Sequence, residues 1–208
     1  MDKSKKNIFD VVRYGIMAGI LMVSFLLSGG RAGAADTFQI DRAHSSLGFA
    51  VKHLTVSTVK GEFTDYSATI QFDPKDPSAF VAEVNIKTSS IDTRQQKRDE
   101  HLRSADFFDA EKFPTISFKS KKVQGNEAGS YVITGDLTMH GVTKEISIPV
   151  MISGPVKGPM GGDVIGLSGE TTINRQDFGI SWNKALDSGG WMVGDEVKIS
   201  VNLEAHKK

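Results

Sequence analysis

Hydrophobic and polar residues alternate along much of the second half of this chain. In Val197-Lys198-Ile199-Ser200-Val201-Asn202-Leu203-Glu204 every odd position is apolar and every even one polar. That period of two predicts a half-buried antiparallel strand. Ile146 to Ile152 repeats the pattern, with Met151 facing out. Pro149 has no N–H to donate, which places an edge or a bulge there. Weaker alternation marks Tyr131–Leu137, Ser46–His53 (Leu47, Phe49, Val51 and His53 on one face) and Tyr66–Phe72 (Ala68, Ile70, Phe72). Ala82, Val84 and Ile86 mark a further strand, Ile116 and Phe118 another, and Ile165, Leu167, Thr171 and Ile173 the next.

Turn signals separate these runs: Asp73-Pro74-Lys75-Asp76-Pro77, Gly125-Asn126-Glu127, His140-Gly141 and Gly158-Pro159-Met160-Gly161-Gly162-Asp163. Eight or more strands at short spacing predict an all-β, antiparallel sandwich or barrel. One segment departs from the period of two. Thr93-Arg94-Gln95-Gln96 fits a Thr-x-x-Gln capping box and predicts a short helix through about residue 104. Only Leu102 and Ala105 offer it apolar packing. A helix so polar has little to bury, so it is expected to lie across one end of a barrel.

Composition changes the picture mainly at the N-terminus. The 208 residues carry 25 basic and 25 acidic side chains, but the balance is uneven. Residues 1–35 hold Lys3, Lys5, Lys6, Arg13 and Arg31 against Asp2 and Asp10. A 14-residue apolar run, Tyr14–Leu27, comes after the basic head, and Ala32-Gly33-Ala34-Ala35 closes the segment. The run is shorter than the roughly 20 residues of a membrane-spanning helix. Basic head, short apolar run and small-residue site read as a secretory signal, cut after Ala34 or Ala35. An uncleaved anchor is the rival reading, and it too exports the rest of the chain. Residues 36–208 are then one domain, with 20 basic and 23 acidic groups, in the periplasm or secreted. That charge argues against nucleic acid, which needs a basic face, and against a general basic attraction to membranes, leaving at most transient contact. Absence of cysteine removes disulfides, thiol nucleophiles and cysteine-ligated metals.

The polar residues suggest no enzyme. There is no G-x-S-x-G elbow, no phosphate-binding loop and no G-x-G-x-x-G after a strand. Ser45 beside His44 is no catalytic pair, because neighbouring strand residues point to opposite faces. His44, His53, His101 and His140 show no metal-ligand spacing, so hydrogen bonds in turns and at strand ends are expected of them, with neither metal nor cofactor. His140-Gly141 reads as a hairpin turn. Arg175 and Asp177 read as a buried structural pair. Trp182 and Trp191 read as loop anchors or part of a dimer surface. The inward faces mix Phe49, Phe63, Phe72 and Phe118 with Gly61, Ala68, Ala82, Gly135 and Gly169. Such a mixture leaves a channel or simply nests, and alternation alone does not choose between a filled barrel and one that holds a ligand.

Several motifs add to this reading. Asp41-Arg42-Ala43-His44-Ser45-Ser46-Leu47-Gly48-Phe49-Ala50-Val51-Lys52-His53 resembles the opening signature of the YceI-like family of exported bacterial proteins. Lys60-Gly61-Glu62-Phe63, the segment Arg98-Asp99-Glu100-His101-Leu102-Arg103-Ser104-Ala105-Asp106-Phe107-Phe108-Asp109, and Phe113-Pro114 are similar to later family segments. So are Leu137-Thr138-Met139-His140-Gly141-Val142-Thr143 and Asn174-Arg175-Gln176-Asp177-Phe178-Gly179. The resemblance covers about residues 37–204. It implies a lipocalin-like antiparallel barrel of about eight strands with an elongated apolar cavity. It also implies an isoprenoid-type lipid ligand, such as a polyprenyl phosphate or quinone, or another long-chain lipid of the fatty-acid kind, a carrier rather than an enzyme, and often a homodimer.

On that implied architecture, strand parity assigns Phe49, Val51, Phe63, Ile70, Phe72, Val84, Ile86, Phe118, Ile133, Leu137, Ile148 and Ile173 to the cavity wall. A one-residue slip would turn any strand over. His53 lies near a strand end on the inward face, to meet a ligand head or to cap the barrel. Arg98 and His101 share a helix face and are candidates for a polar head at the mouth. The competing reading of that helix is a solvated one with an Asp99–Arg103 pair. The expected function is an exported carrier or sequestering protein. The alternatives are a metal-assisted hydrolase using the histidines, or a stress-protection or interaction protein with a packed barrel.

Overall fold

The structure, a computed structural model, describes residues 35–125, 129–159, 161–187 and 189–208. The signal-peptide expectation falls outside these residues, apart from Ala35. Among them the elements run β1 (Asp36–His53), β2 (Ser57–Phe63), β3 (Tyr66–Phe72), β4 (Val81–Lys87), β5 (Ile91–Asp92) and α1 (Gln96–Arg103). They continue with β6 (Thr115–Gly125), β7 (Ser130–Met139), β8 (Val142–Lys157), β9 (Asp163–Asn174) and β10 (Val193–Lys207). Eight strands close on themselves in the order β1-β3-β4-β6-β7-β8-β9-β10, with β10 returning to β1. All pairings are antiparallel. The expected all-β antiparallel barrel with one short helix is therefore the fold.

β1 serves two neighbours on one side. Asp36–Gln39 pair with β3, while Leu47–His53 pair with β2. The change of partner falls at a bulge against β10. Asp41 faces Glu204 and the next pair is Ser46 with Asn202, so residues 42–45 stand against Leu203 alone. Extra residues on one strand bend it and increase its twist. The opening motif is the hardware of this bulge. The Ser45 hydroxyl accepts from the Glu204 N–H at 3.0 Å and donates to its carbonyl at 3.3 Å, replacing the interrupted ladder. Asp41 Oδ1 accepts from the Ala43 N–H at 2.8 Å. Arg42 reaches the β2–β3 turn, donating to the Thr64 carbonyl and lying 3.4 Å from Asp65.

The β7–β8 connection is the expected tight hairpin. His140 and Gly141 both have positive φ, 52° and 75°, as a two-residue type I′ turn requires. Pro149 pairs with Val132 of β7, and the β8–β9 ladder begins only at the next residue, Val150, so the proline falls where β8 has a ladder partner on one side. The bulge of β8 comes later, between Ser153 and Val156.

The glycines on the inner face nest large neighbours. The Phe49 ring lies where a side chain at its cross-strand partner Gly61 would stand, and the Phe118 ring does the same at Gly135. At Gly169, Val150 and the Pro149 carbonyl take that space. These small residues leave no channel; their volume is already used. Because the Lys119 carbonyl also blocks Gly135, the backbone there has no room to yield. Gly135→Ala is expected to destabilise the barrel by about 1–3 kcal/mol, the usual cost of overpacking. The midpoint of urea unfolding measures it; an unchanged midpoint contradicts the nesting.

Candidate functional site

Burial is graded along the inward faces. On β10, Leu203 and Ala205 are buried, but Val201, Ile199 and Val197 are only half-buried although they alternate with outward residues. β8 repeats this, with Ile152 and Val150 buried and Ile148 and Ile146 half-buried. So does β4, with Ala82 buried and Val84 and Ile86 half-buried. An inward side chain that keeps accessible surface borders open space. The space is a cavity of about 210 Å³.

One end of the barrel is solid. Phe38, Ile165 and Ala205 are 1%, 1% and 0% exposed, and pack with Phe72, Tyr131 and Ile152. Phe72 sits edge-on to Phe80 and Tyr131, with centroids 6.2 and 6.4 Å apart. Towards the other end the cavity meets a second apolar cluster and the chain around α1. Leu102, Phe107 and Phe108 reach its wall, and Phe108 stands edge-on to Phe63 at 6.0 Å.

Ten of the twelve residues assigned by parity lie on the wall: Phe49, Val51, Phe63, Ile70, Val84, Ile86, Phe118, Ile133, Leu137 and Ile148. Two do not. Phe72 belongs to the solid end, and Ile173 is buried in the second cluster with Phe178 and Ile180. Parity gives the face of a strand but not how far along the barrel the hollow extends. Val197, Ile199, Val201 and Leu203 of β10 are also on the wall, and their alternation is plain in the sequence. Phe107 and Phe108 come after the helix in a turn, where no periodicity marks an inward side.

None of the three polar candidates lines the cavity. His53 pairs with Ser57 and Val193 at the end of β1, and its side chain is not on the wall. Arg98 turns back on its own helix entry. Its Nε donates to Thr93 Oγ1 at 2.7 Å and its Nη2 to the Thr93 carbonyl at 2.8 Å. His101 Nε2 lies 2.8 Å from Asp106 Oδ2, and its ring stands edge-on to Phe107 and Trp182.

The helix also differs in detail from expectation. Arg94 has φ 63°, so the chain is not helical there and Thr93 cannot be the cap. Gln95 caps instead, its side chain accepting from the Arg98 N–H. The Thr93 hydroxyl donates to the buried Asp99 carboxylate, which also accepts the Thr93 N–H at 2.9 Å. Arg103 donates to the Ser89 and Ile91 carbonyls, so the Asp99–Arg103 pair does not form. Ala105 is exposed; Phe107 and Phe108 do the packing.

Among the described residues, Arg175 is the one charged residue on the cavity wall. Its partner is Asp195 of β10 at 3.0 Å, not Asp177. Asp177 sits in the short 3-10 turn Arg175–Phe178, while Arg175 points across to the start of β10. It donates there to the Gly194 carbonyl at 2.9 Å, and to the carbonyls of Ile180 and Trp182 at 2.7 and 2.9 Å. Burial lowers its pKa from the ordinary value while Asp195 opposes the shift, and a guanidinium stays charged in proteins. Trp182 is thereby anchored and packs 5.1 Å from Phe107, whereas Trp191 is 57% exposed.

A closed eight-stranded barrel, solid at one end and hollow towards a helix-bearing end, with an almost wholly apolar wall, is a lipocalin-like architecture. Residues 38–205 match the YceI-like domain, and the chain belongs to that family. A UPF0312 protein of Staphylococcus aureus strain N315 is 42% identical over 168 residues, covering 80% of this chain and 95% of the relative. The crystal structure of a Campylobacter jejuni YCEI protein is 39% identical, with a TM-score of 0.64 over 81% of this chain and 96% of that one. Burkholderia cenocepacia BcnA superposes with a TM-score of 0.70 at 25% identity, covering 79% and 98%. A polyisoprenoid binding domain from Saccharophagus degradans shares the fold at 15% identity, with a TM-score of 0.64 over 84% and 99%.

Arg175→Met is expected to cost about 3–5 kcal/mol, since it strands Asp195 and three carbonyls in a half-buried or buried setting. Arg175→Lys recovers only part of this, because an ammonium lacks the planar fork that serves both sides. Thermal unfolding of the two variants checks both; equal stability of Arg175→Met and the parent contradicts the anchoring role.

Proposed function

We propose that this protein binds a long amphipathic lipid of the isoprenoid type, its tail in the barrel, as an exported carrier or sequestering protein without chemistry. The observation that carries the reading is the cavity of about 210 Å³ whose wall offers one charged group among the described residues, and four of that group's hydrogen bonds go to backbone carbonyls and Asp195. Apolar cavities of roughly 150 Å³ stay dry and take up apolar guests. Each CH₂ transferred from water contributes about 0.8 kcal/mol. Ten carbons would supply roughly 8 kcal/mol, near micromolar affinity before the cost of ordering the chain. A wall of this composition rewards length and branching of a hydrocarbon more than any particular functional group. The polar head belongs outside, beyond the helix-bearing end; Arg98 and His101 are engaged elsewhere, and His53 is off the cavity wall. Membership of the YceI-like family, and the shared fold of a polyisoprenoid binding domain, support the lipid class. The hollow barrel speaks against the packed-barrel alternative. Export is supported by the basic head, apolar run and small-residue string of residues 1–35.

Two measurements test the reading. Organic extraction of the purified protein followed by mass spectrometry should return a prenyl lipid near one per chain, or the emptied protein should bind added prenyl lipid. Failure of both overturns it. Val84→Phe places a ring into the hollow from a half-buried wall position. It is expected to weaken lipid binding at least tenfold while changing stability by less than about 1 kcal/mol, because it meets space rather than packed atoms. Unchanged affinity would mean that the lipid does not enter past β4.

A further inference from the structure

On the outer surface, at the solid end of the barrel, the bulge of β1 and the end of β10 gather two imidazoles and two carboxylates. His44 Nδ1 lies 2.8 Å from Asp41 Oδ2 and 3.9 Å from Glu204 Oε1. His206 Nε2 lies 3.1 Å from Glu204 Oε1 and 3.8 Å from Asp41 Oδ2. An ion bound tetrahedrally at about 2.0 Å needs donor atoms about 3.3 Å apart. Ligand atoms of Asp41, His44 and Glu204 all lie within 4.8 Å of one another, and His206 stands beside Asp41 and Glu204, so it joins as the fourth donor once its ring turns toward His44.

The backbone beneath these groups is held independently of them. Ser45 bridges both backbone groups of Glu204. Asp41 and Glu204 are directly paired across the ladder, and His206 lies two residues beyond Glu204, on the same outward face of β10. Asp41 keeps a second oxygen on the Ala43 N–H, which leaves Oδ2 aimed at both rings. The four side chains remain 30–65% exposed, so an ion can enter from solvent.

We propose that Asp41, His44, Glu204 and His206 bind one divalent transition-metal ion, of the zinc or copper(II) kind, across the seam between β1 and β10. Two imidazole nitrogens with two carboxylate oxygens suit these ions, whereas magnesium and calcium prefer oxygen alone. The site is separate from the cavity and independent of what the cavity holds. Its effect would be a staple across the strand pair that closes the barrel.

Titration of the purified, tag-free protein with zinc chloride and with copper(II) chloride, followed by calorimetry, tests the site. The expected result is one ion per chain, at least a hundredfold preference over magnesium, and a higher melting temperature with metal. His206→Gln and His44→Gln should each weaken binding at least tenfold. Circular dichroism of His206→Gln, which leaves the Ser45 bridge untouched, shows that the barrel persists. Absence of saturable one-to-one binding overturns the proposal. So does binding that survives the His44→Gln, His206→Gln double variant, which would locate the ion elsewhere. Lipid content measured on the same samples is expected to be unaffected, and its outcome bears only on the cavity.

Discussion

The seam between β1 and β10 is the constraint on which the rest of the barrel depends. An antiparallel sheet becomes a barrel only when its first and last strands pair, and here those strands lie at opposite ends of the described chain. Closure has to be reconciled with a β1 that is shared between β3 and β2 on its other side. The bulge at residues 42–45 achieves this by bending one strand to satisfy three neighbours. A serine hydroxyl at the bulge both donates and accepts, so the Glu204 backbone groups keep partners where the ladder skips. An unpaired backbone group in that position would cost about as much as a lost hydrogen bond. The interruption in the seam is thus chemically complete.

Closure in turn sets the interior. The solid end is filled by Phe38, Phe72, Ile165 and Ala205, and the space beside Gly61 and Gly135 is taken by phenylalanine rings from adjacent strands. The hollow lies farther along, where half-buried valines and isoleucines from opposite walls do not meet. At that end β2, β5 and the α1 segment bring in Leu102, Phe107 and Phe108. Arg175 ties the chain after β9 to the start of β10 through three carbonyls and Asp195. The polar groups near the hollow therefore spend their hydrogen bonds on the scaffold, and the wall is left to hydrocarbon.

Much of the fold was legible because strand periodicity is a local property. β3, β4 and β10 followed from alternation, and the His140-Gly141 turn followed from the backbone freedom of glycine. Ten wall residues followed from parity combined with the barrel that the motifs implied. The misses share a cause. Phe72 and Ile173 point inward as parity requires, but their depth along the axis depends on which layers are packed. Phe107 and Phe108 lie in an aperiodic turn. Arg98, Asp99 and Arg103 all found partners on the segment leading into the helix rather than along it, once the left-handed conformation of Arg94 had moved the cap to Gln95.

By itself, then, the sequence determined the all-β class, the faces of most strands, the hairpin between β7 and β8, and the family, because each rests on neighbours within a few residues or on ordered motifs. The tertiary structure alone decided where the barrel is hollow, which acid meets Arg175, and that His44 and His206 share one surface patch with Asp41 and Glu204. Those outcomes depend on register between segments as far as about 160 residues apart. Strand pairing across a closed sheet sets that register, and no spacing along the chain encodes it.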